Sequence, residues 1–384
     1  MKNLLILGST GSIGESTLSV VRSLPGRFRV SGLSCAGRIG RLAEQAEEFR
    51  PEAVAVLGQE ECIPATARPQ VFRGVDGLLA MIRGSSAELV VNGIAGAAGL
   101  LPSLAALESG RDLALANKET LVMAGALVMG EALRRGCRIL PIDSEHAALS
   151  SILRGLEPVN VGELVLTASG GAFRDRPLSE LVHVTPEEAL AHPTWRMGPK
   201  ITVDCATMAN KGLEVIEAHV LFGIPVDRIR VLIHPQSLAH ALVRTVDGAL
   251  HAELSTPDMR LPIQNALTGP VMTASTVTAL DLSGRELAFR EPDPARYPML
   301  ALAYGAAVAG PAGPIVYNAA NEVAVAAFLR GRLGFMDIAP VVEECLERGC
   351  AGDADTLERI LDTDRRARQE AEAAVGHRAR RNPL

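Results

Sequence analysis

Three acids stand in contexts where acids do chemistry. Asp143 and Glu145 lie in Ile142-Asp143-Ser144-Glu145-His146, closing an apolar stretch from Cys137 to Ile142. Alternate residues of an extended chain point the same way, so the two carboxylates can converge on one cation. The third acid, Glu214, ends Asn210-Lys211-Gly212-Leu213-Glu214, where helical spacing puts Asn210, Lys211 and Glu214 along one face. Three hard oxygen ligands with no Cys or His pattern suit Mg²⁺ or Mn²⁺, with Co²⁺ a further candidate, and leave positions for substrate and water. The competing reading is that these acids are helix caps and salt-bridge partners, as most isolated acids are, and the D-x-E spacing alone does not choose.

A different chemistry is written at the N-terminus. The apolar run at 3–7 meets GSTGSIG at 8–14, which leads into ESTLSVVRSL with helical spacing. Glycines 8, 11 and 14 let a pyrophosphate approach backbone N–H groups at a helix N-terminus, where side chains would block it; without a ligand the loop is simply a tight turn. β-rich runs at 28–34, 53–57, 88–92 and 138–142 alternate with helical stretches, which predicts a doubly wound α/β unit. After the strand Phe28–Cys35 no acid occurs until Glu44, whereas an NAD site places one there for the ribose hydroxyls. Arg38 and Arg41 can instead meet a 2′-phosphate, which favours NADPH, although either alone is an ordinary surface arginine.

Further polar groups fall at strand ends. Asn117, Lys118 and Glu119 follow a strand at Asp112–Leu115, where α/β proteins bind ligands and where helix N-termini with solvated charges are also common. Ser169-Gly170-Gly171 follows a strand at Glu163–Thr167 and offers a hydroxyl and backbone freedom for a phosphate, or else a simple turn. Thr185-Pro186-Glu187-Glu188 spells a capping box with proline at the first helical position. Beyond it His192 and Trp195, the one tryptophan of the chain, lie in the Pro/Gly-punctuated stretch Ala191–Pro199, which reads as a lid.

These residues need elements to hold them, and 384 residues allow two or three domains. The expected division is an NADPH-binding Rossmann-like domain at 1–147 and an α/β catalytic domain with a sheet at 148–290. A linker at 291–298, marked by Pro292, Pro294 and Pro298, then leads to a small helical domain at 299–384. Strands expected at Arg228–Ile233 and His251–Leu254 are compatible with a dimer interface. A net charge of −6 and a pI of 5.8 argue against nucleic-acid or anionic-membrane partners. Cysteines 35, 62, 137, 205, 345 and 350 form no C-x-x-C pair and read as reduced thiols of a cytoplasmic protein. The apolar run Leu4–Leu7 is too short for a signal peptide. Leu89–Leu107 is uncharged but holds Asn92, glycines and Pro102, so a strand, a turn and a small-residue helix are expected there rather than a membrane span. Arg378, Arg380 and Arg381 end a polar stretch expected to be a solvated helix with a frayed tail.

Taken in order, GSTGSIG, ANKETLV, PIDSEHAAL, TASGGAF, AHPTWRMGPKITVDCATMANKGLEVIEA, IHPQSLAHALV, PDMRLPIQNAL and NAANEVAVAAFL resemble the 1-deoxy-D-xylulose 5-phosphate reductoisomerase family, over residues 1 to about 345. The resemblance implies NADPH- and metal-dependent rearrangement and reduction of that sugar phosphate to 2-C-methyl-D-erythritol 4-phosphate, in the non-mevalonate isoprenoid pathway, by a homodimer. It implies NADPH contacts at Thr10, Gly11, Ser12, Ile13, Gly37, Arg38, Asn117, Glu119 and Gly198. Metal ligands are implied at Asp143, Glu145 and Glu214, and these three with Lys118 and His192 are the implied catalytic residues. Substrate contacts are implied at Lys118, Ser144, Glu145, Ser169, His192, Asn210, Lys211 and Glu214, with Ser169, Asn210 and Lys211 around the phosphate and Trp195 and Met197 on the lid. Cys205 stands where the family usually has a phosphate-binding serine, and a thiol is the weaker donor. The AGRIG loop is one residue shorter than the family's, with arginine for lysine and an asparagine lost. Rival readings are an NADPH enzyme acting on a different small sugar phosphate, a semialdehyde dehydrogenase, which needs a nucleophilic Cys–His pair, and a regulatory NADPH-binding protein, in which the acids and Lys118 would have eroded.

Overall fold

Leu4–Leu7, Val54–Val56 and Leu89–Val91 are aliphatic runs buried on both faces, as the inner strands of a parallel sheet must be. They belong to a computed structural model that describes residues 1–58, 69–195, 197–349 and 354–381; Cys62 and Cys350 lie outside the described residues. The chain forms two compact units. The first comprises Met1–Thr120, Val128–Ala147 and Asp258–Ala279. Its strands are β1 (Lys2–Leu7), β2 (Phe28–Cys35), β3 (Ala53–Val56), β4 (Gln70–Arg73), β5 (Leu89–Asn92), β6 (Asp112–Leu115) and β7 (Ile139–Pro141). They make one parallel sheet in the order β4-β3-β2-β1-β5-β6-β7. The order reverses between β1 and β5, and that crevice at the carboxyl ends is where such sheets bind ligands. Helices α1 (Ser12–Ser23), α2 (Ile39–Phe49), α3 (Gly74–Gly84), α4 (Leu100–Glu108) and the start of α5 (Lys118–Arg135) alternate with the strands, as βαβ crossovers require. The next helix, α6 (Ser144–Leu153), begins directly after β7.

The second unit comprises Leu121–Leu127, Ala148–Pro257 and Leu280–Leu384. Its strands are β8 (Val161–Ala168), β9 (Ile229–Ile233), β10 (Ala239–Thr245) and β11 (Leu250–Leu254), in the order β11-β10-β8-β9. β8 runs parallel to β9 and antiparallel to β10, and β11 is an antiparallel edge strand. Two short helices, α7 (Pro186–Ala189) and α8 (Pro199–Thr207), precede α9 (Ala209–Phe222), which buries Val215 and Ala218 in the core of this sheet.

Segment 258–279 departs from the expected division. Its helix α10 (Arg260–Thr268) packs in the first unit, because Ile263, Ala266 and Leu267 join the core under the parallel sheet. The helices after the prolines are α11 (Pro298–Val308), α12 (Ala312–Leu329), α13 (Ile338–Gly349) and α14 (Leu357–Arg381). They share one unit with the second sheet instead of standing alone, since Tyr297 and Leu300 sit in that sheet's core. Pro298 is the first residue of α11, where a missing N–H costs nothing. The polar C-terminal stretch is not merely solvated: Ala367, Ala371, Ala374 and Val375 bury a stripe of α14 in the helical core, and Arg378 pairs with Glu344. The uncharged stretch from Leu89 becomes β5, a turn and α4, and no described helix is long and apolar enough to cross a membrane.

Candidate active site

In the first unit the glycine loop leaves β1 at the crevice. Gly8 has φ +71°, and a Cβ there would lie 3.0 Å from the Gly93 carbonyl at the end of β5; a Cβ on Gly14 would collide with the Ser9 backbone. Both positions therefore need glycine for close backbone approach. The loop is tied to its neighbours: Gly8 N–H donates to Ser34 Oγ (3.1 Å), Ser9 N–H to Ser34 O (2.8 Å) and Ser9 Oγ to Gln45 Oε1 (2.8 Å). Thr10 is buried in the loop, whereas Ser12 is exposed and Ile13 half-buried at the start of α1.

The two arginines expected to meet a 2′-phosphate separate here. Arg38 is exposed beside exposed Gly37 at the start of α2. Arg41 grips Glu15 through Nε (2.6 Å) and Nη2 (2.8 Å), and also pairs with Glu44. A guanidinium held by two carboxylates is committed to the scaffold, and Arg38 is the more exposed of the two arginines. Glu15 is held below the usual carboxylate range, first by the hydrogen bond from Arg41.

Asn117 caps α5, its side chain accepting from Thr120 N–H (3.0 Å), while its Nδ2 donates to Ile94 O (2.7 Å), Gly96 O (2.8 Å) and Glu119 Oε2 (3.0 Å). A buried relay stands behind it: Asn92 Nδ2 donates to Ser103 Oγ (2.8 Å), which lies 3.2 Å from Thr120 Oγ1, which donates to Asn117 Oδ1 (2.5 Å). The cap fixes Lys118, the first residue of α5, buried and ion-paired to Asp143.

Asp143 immediately precedes α6, where its carbonyl accepts from Ala147 N–H (2.9 Å) and its Oδ1 from Ser144 N–H (3.0 Å). Glu145 is in the first helical turn and accepts from Ser144 Oγ (2.6 Å). The expected alternation of an extended chain is thus replaced by a helix start. The carboxylates still converge, with oxygens within 4.8 Å of each other, because the turn folds one over the other. Acids there complement the helix dipole, and the donors are carboxylate oxygens, which fit a hard divalent ion.

In the second unit β8 ends at Ala168, and Ser169 begins a turn through Gly170 (φ +82°) and Gly171 (φ +71°). Gly171 N–H donates to Ser169 Oγ (3.2 Å), and His192 Nε2 lies 3.0 Å from the same oxygen. A Cβ on Gly171 would come within 2.5 Å of the Cys205 carbonyl, so the turn packs against the end of α8. Burial first, and then the charge of Arg174, lowers His192 to about 4, so the imidazole is neutral at physiological pH. The capping box forms on α7 as expected, Thr185 with Glu188. Trp195 and Met197 are half-buried, and Gly198 caps α8.

Half-buried Cys205 lies near the end of α8, one residue after Asp204, which is buried and held by Lys200 (3.0 Å) and Asn321 (2.9 Å). Met208, with φ +64°, turns the chain into α9. There the helical spacing does bring its residues together: Asn210 Nδ2 donates to Glu214 Oε1 (2.5 Å), and buried Lys211 pairs with buried Glu214. Sequence reading misses Tyr297, Arg296 and Asn321, which reach these loops from more than a hundred residues away. Arg174, the residue next after the TASGGAF motif, is within reach of it.

Residues 4–125 match the family model for 1-deoxy-D-xylulose 5-phosphate reductoisomerase, and residues 139–222 and 254–370 match models of that enzyme's C-terminal domains. The chain is 49% identical over 378 residues to 1-deoxy-D-xylulose 5-phosphate reductoisomerase of Thermomicrobium roseum, covering 98% of each chain. It is 46% identical over 382 residues to that of Chlorobium limicola, covering 98% of this chain and all of the relative. Among solved structures, a reductoisomerase in complex with NADPH, fosmidomycin and magnesium superposes with a TM-score of 0.92 at 39% identity, over 98% of each chain. The Zymomonas mobilis enzyme in complex with NADPH gives 0.90 at 38% identity, over 97% of this chain and 99% of the other.

Proposed function

The chain belongs to the 1-deoxy-D-xylulose 5-phosphate reductoisomerase family, and from that premise we propose that it converts 1-deoxy-D-xylulose 5-phosphate to 2-C-methyl-D-erythritol 4-phosphate with NADPH and a divalent metal. The observation that carries the reading is the pair of buried Lys118 with half-buried Asp143, beside Ser144 and Glu145 at the start of α6, in a unit whose glycine loop opens on the switch point of its sheet. When bound, the metal supplies Lewis acidity at the substrate oxygens and NADPH the hydride.

The chain's own residues do the rest. Asp143, Glu145 and Glu214 would hold the ion. Half-buried Asp143 already pairs with buried Lys118 and buried Glu214 with buried Lys211, so neither acid stands without a countercharge. Lys118, at the Asn117-capped start of α5 with its ammonium held by Asp143, donates a hydrogen bond or a proton to an oxygen that gains charge as the carbon skeleton rearranges. Thr10, Gly11, Ser12, Ile13, Gly37, Arg38, Asn117, Glu119 and Gly198 bind the dinucleotide, and Arg38 supplies the charge for its 2′-phosphate. Ser169, Asn210 and Lys211 anchor the substrate phosphate, with Ser144, His192 and Cys205 as further contacts. Trp195 and Met197 close over the substrate and exclude water from the reduction.

The same reading carries a cytoplasmic homodimer. The edge strand β11 exposes Leu250 to Ala252, an unpaired row that a second copy can cover. Light scattering of the purified protein tests the dimer. Loss of NADPH absorbance on addition of 1-deoxy-D-xylulose 5-phosphate tests the activity. Turnover is expected with Mg²⁺ or Mn²⁺, to be abolished by EDTA and restored by metal. No turnover with either metal, or full turnover in EDTA, overturns the assignment.

A further inference from the structure

The turn that follows β8 is held by its carbonyls. Ser169 O accepts from Arg174 Nη1 (2.8 Å), Gly170 O from the Tyr297 hydroxyl (3.0 Å), and Phe173 O from Arg296 Nη1 (2.8 Å). In a planar trans peptide the N–H points opposite to the C=O. The Tyr297 hydroxyl on Gly170 O therefore turns the Gly171 N–H the other way, onto Ser169 Oγ at 3.2 Å.

His192 meets the same oxygen from another side. Its Nδ1 accepts from the backbone N–H groups of Thr194 (3.1 Å) and Trp195 (2.9 Å), so that nitrogen carries a lone pair. The neutral ring then carries its hydrogen on Nε2, 3.0 Å from Ser169 Oγ. Ser169 Oγ accepts from two donors, which occupies both lone pairs, and its single hydrogen is left to be given away.

We infer that Tyr297 is a positioning residue for substrate binding: through the Gly170–Gly171 peptide it commits the Ser169 hydroxyl to donation, which suits a phosphoryl oxygen with no hydrogen of its own. This rests on the reading that Ser169 contacts the substrate phosphate. Tyr297 itself is buried in the core of the second sheet, and burial pushes its phenol up to about 12, so it stays a donor at any pH the enzyme meets. Two successive glycines at positive φ make this peptide easy to turn, so its orientation depends on what holds the carbonyl.

The test is Tyr297→Phe in the full-length protein, with Tyr304→Phe as control. Tyr304 also gives its hydroxyl to a backbone carbonyl, Ile229 O (2.6 Å), but on β9 rather than on this turn. For Tyr297→Phe, KM for 1-deoxy-D-xylulose 5-phosphate is expected to rise about five- to tenfold, the worth of one hydrogen bond, with kcat and the KM for NADPH changed by less than about twofold. Inhibition by inorganic phosphate should weaken by the same factor, and Tyr304→Phe should leave all of these unchanged. A fall in kcat at constant KM, an equal effect of Tyr304→Phe, or undiminished phosphate inhibition overturns the inference. If the wild-type protein turns over no 1-deoxy-D-xylulose 5-phosphate, the activity reading fails by itself. Calorimetric titration of both proteins with inorganic phosphate then still decides the inference, for it predicts weaker binding to Tyr297→Phe.

Discussion

The glycine loop at 8–14 and the turn at 169–174 are two glycine-containing turns that the proposed function sets against a ligand, and they are built differently. The first is held from nearby. Its partners are Ser34 and Gln45, at most 36 residues away, and its own bonds Gly11 N–H to Gly8 O and Glu15 N–H to Gly11 O. The second depends on Tyr297 and Arg296, 127 and 123 residues along the chain from Gly170 and Phe173. A loop closed from nearby needs little beyond the first two βα units. A remotely held one exists only in the completed unit, and its chemistry can be tuned by a residue that never meets the ligand.

The largest effects should come from the buried lysine of each unit. Lys118→Met is expected to lower kcat by about 10²- to 10⁴-fold, the range for losing a positioned acid. Lys211→Met should cost activity as well, and in addition about 3–5 kcal/mol of stability, because it removes the ammonium that pairs with buried Glu214. Steady-state kinetics with urea unfolding separates the two. If both variants lose stability equally and neither loses activity beyond it, the lysines are structural.

Next come the glycines. Gly14→Ala drives a Cβ into the Ser9 backbone, and Gly171→Ala combines φ +71° with a Cβ 2.5 Å from the Cys205 carbonyl. Each should destabilise by roughly 2–4 kcal/mol, since backbone cannot move aside as a side chain does. Calorimetry should find NADPH binding lost in Gly14→Ala with phosphate binding kept, and the reverse in Gly171→Ala. Loss of both ligands in both variants would mean that the loops are not independent.

The contrast also explains what could be read from the sequence. The glycine loop, β2 at Phe28–Cys35, β6 at Asp112–Leu115 and the α9 face of Asn210, Lys211 and Glu214 carry patterns within a few residues, namely glycine offsets, apolar runs and helical spacing, and those patterns name them. β4 has no such pattern, being a short edge strand of largely exposed residues, whereas β10 ends at an Asp247-Gly248 hairpin turn (Gly248 φ +91°) that could have marked it. The extended geometry expected at Asp143 and Glu145 gives way to a helix start, because Asp143 can itself cap the helix that follows. Arg41 reads as a cofactor ligand until Glu15, 26 residues earlier, is found to claim it. Tyr297 is invisible at the sequence level because nothing local requires its hydroxyl.

Acidification should open the two loops in different windows. His192 sits at about 4 folded against 6.5 unfolded, so between about pH 6.5 and 4 the unfolded chain takes up a proton that the folded chain refuses. Stability therefore falls as pH drops through that range. Glu15 is lowered by Arg41, so its contribution is present above about pH 4.5 and is lost only as pH falls further, through its lowered folded value. Melting temperatures of His192→Gln and Glu15→Gln against wild type, from pH 8 downward, check both. The first substitution should flatten the curve above pH 4.5 and the second only below it. A His192→Gln curve parallel to wild type between pH 6.5 and 4 would show that the ring titrates freely.

The smallest expected effect tests how far the second loop has been tuned. Cys205 stands where the family usually has a serine, half-exposed on α8 with its carbonyl packed under Gly171. A thiol is a weak donor at longer range, while Ser169 is already committed to donation by His192 and the Gly171 N–H. One weak donor beside one strong one should cost little, so Cys205→Ser is expected to lower KM for 1-deoxy-D-xylulose 5-phosphate by about two- to threefold at constant kcat. In the Tyr297→Phe background, where the Ser169 donor is loosened, the same substitution should count for more, because the donor at position 205 then carries a larger share of the phosphate contact. An unchanged KM in both backgrounds would mean that position 205 does not touch the phosphate, and that the turn alone, held from Tyr297, sets the affinity.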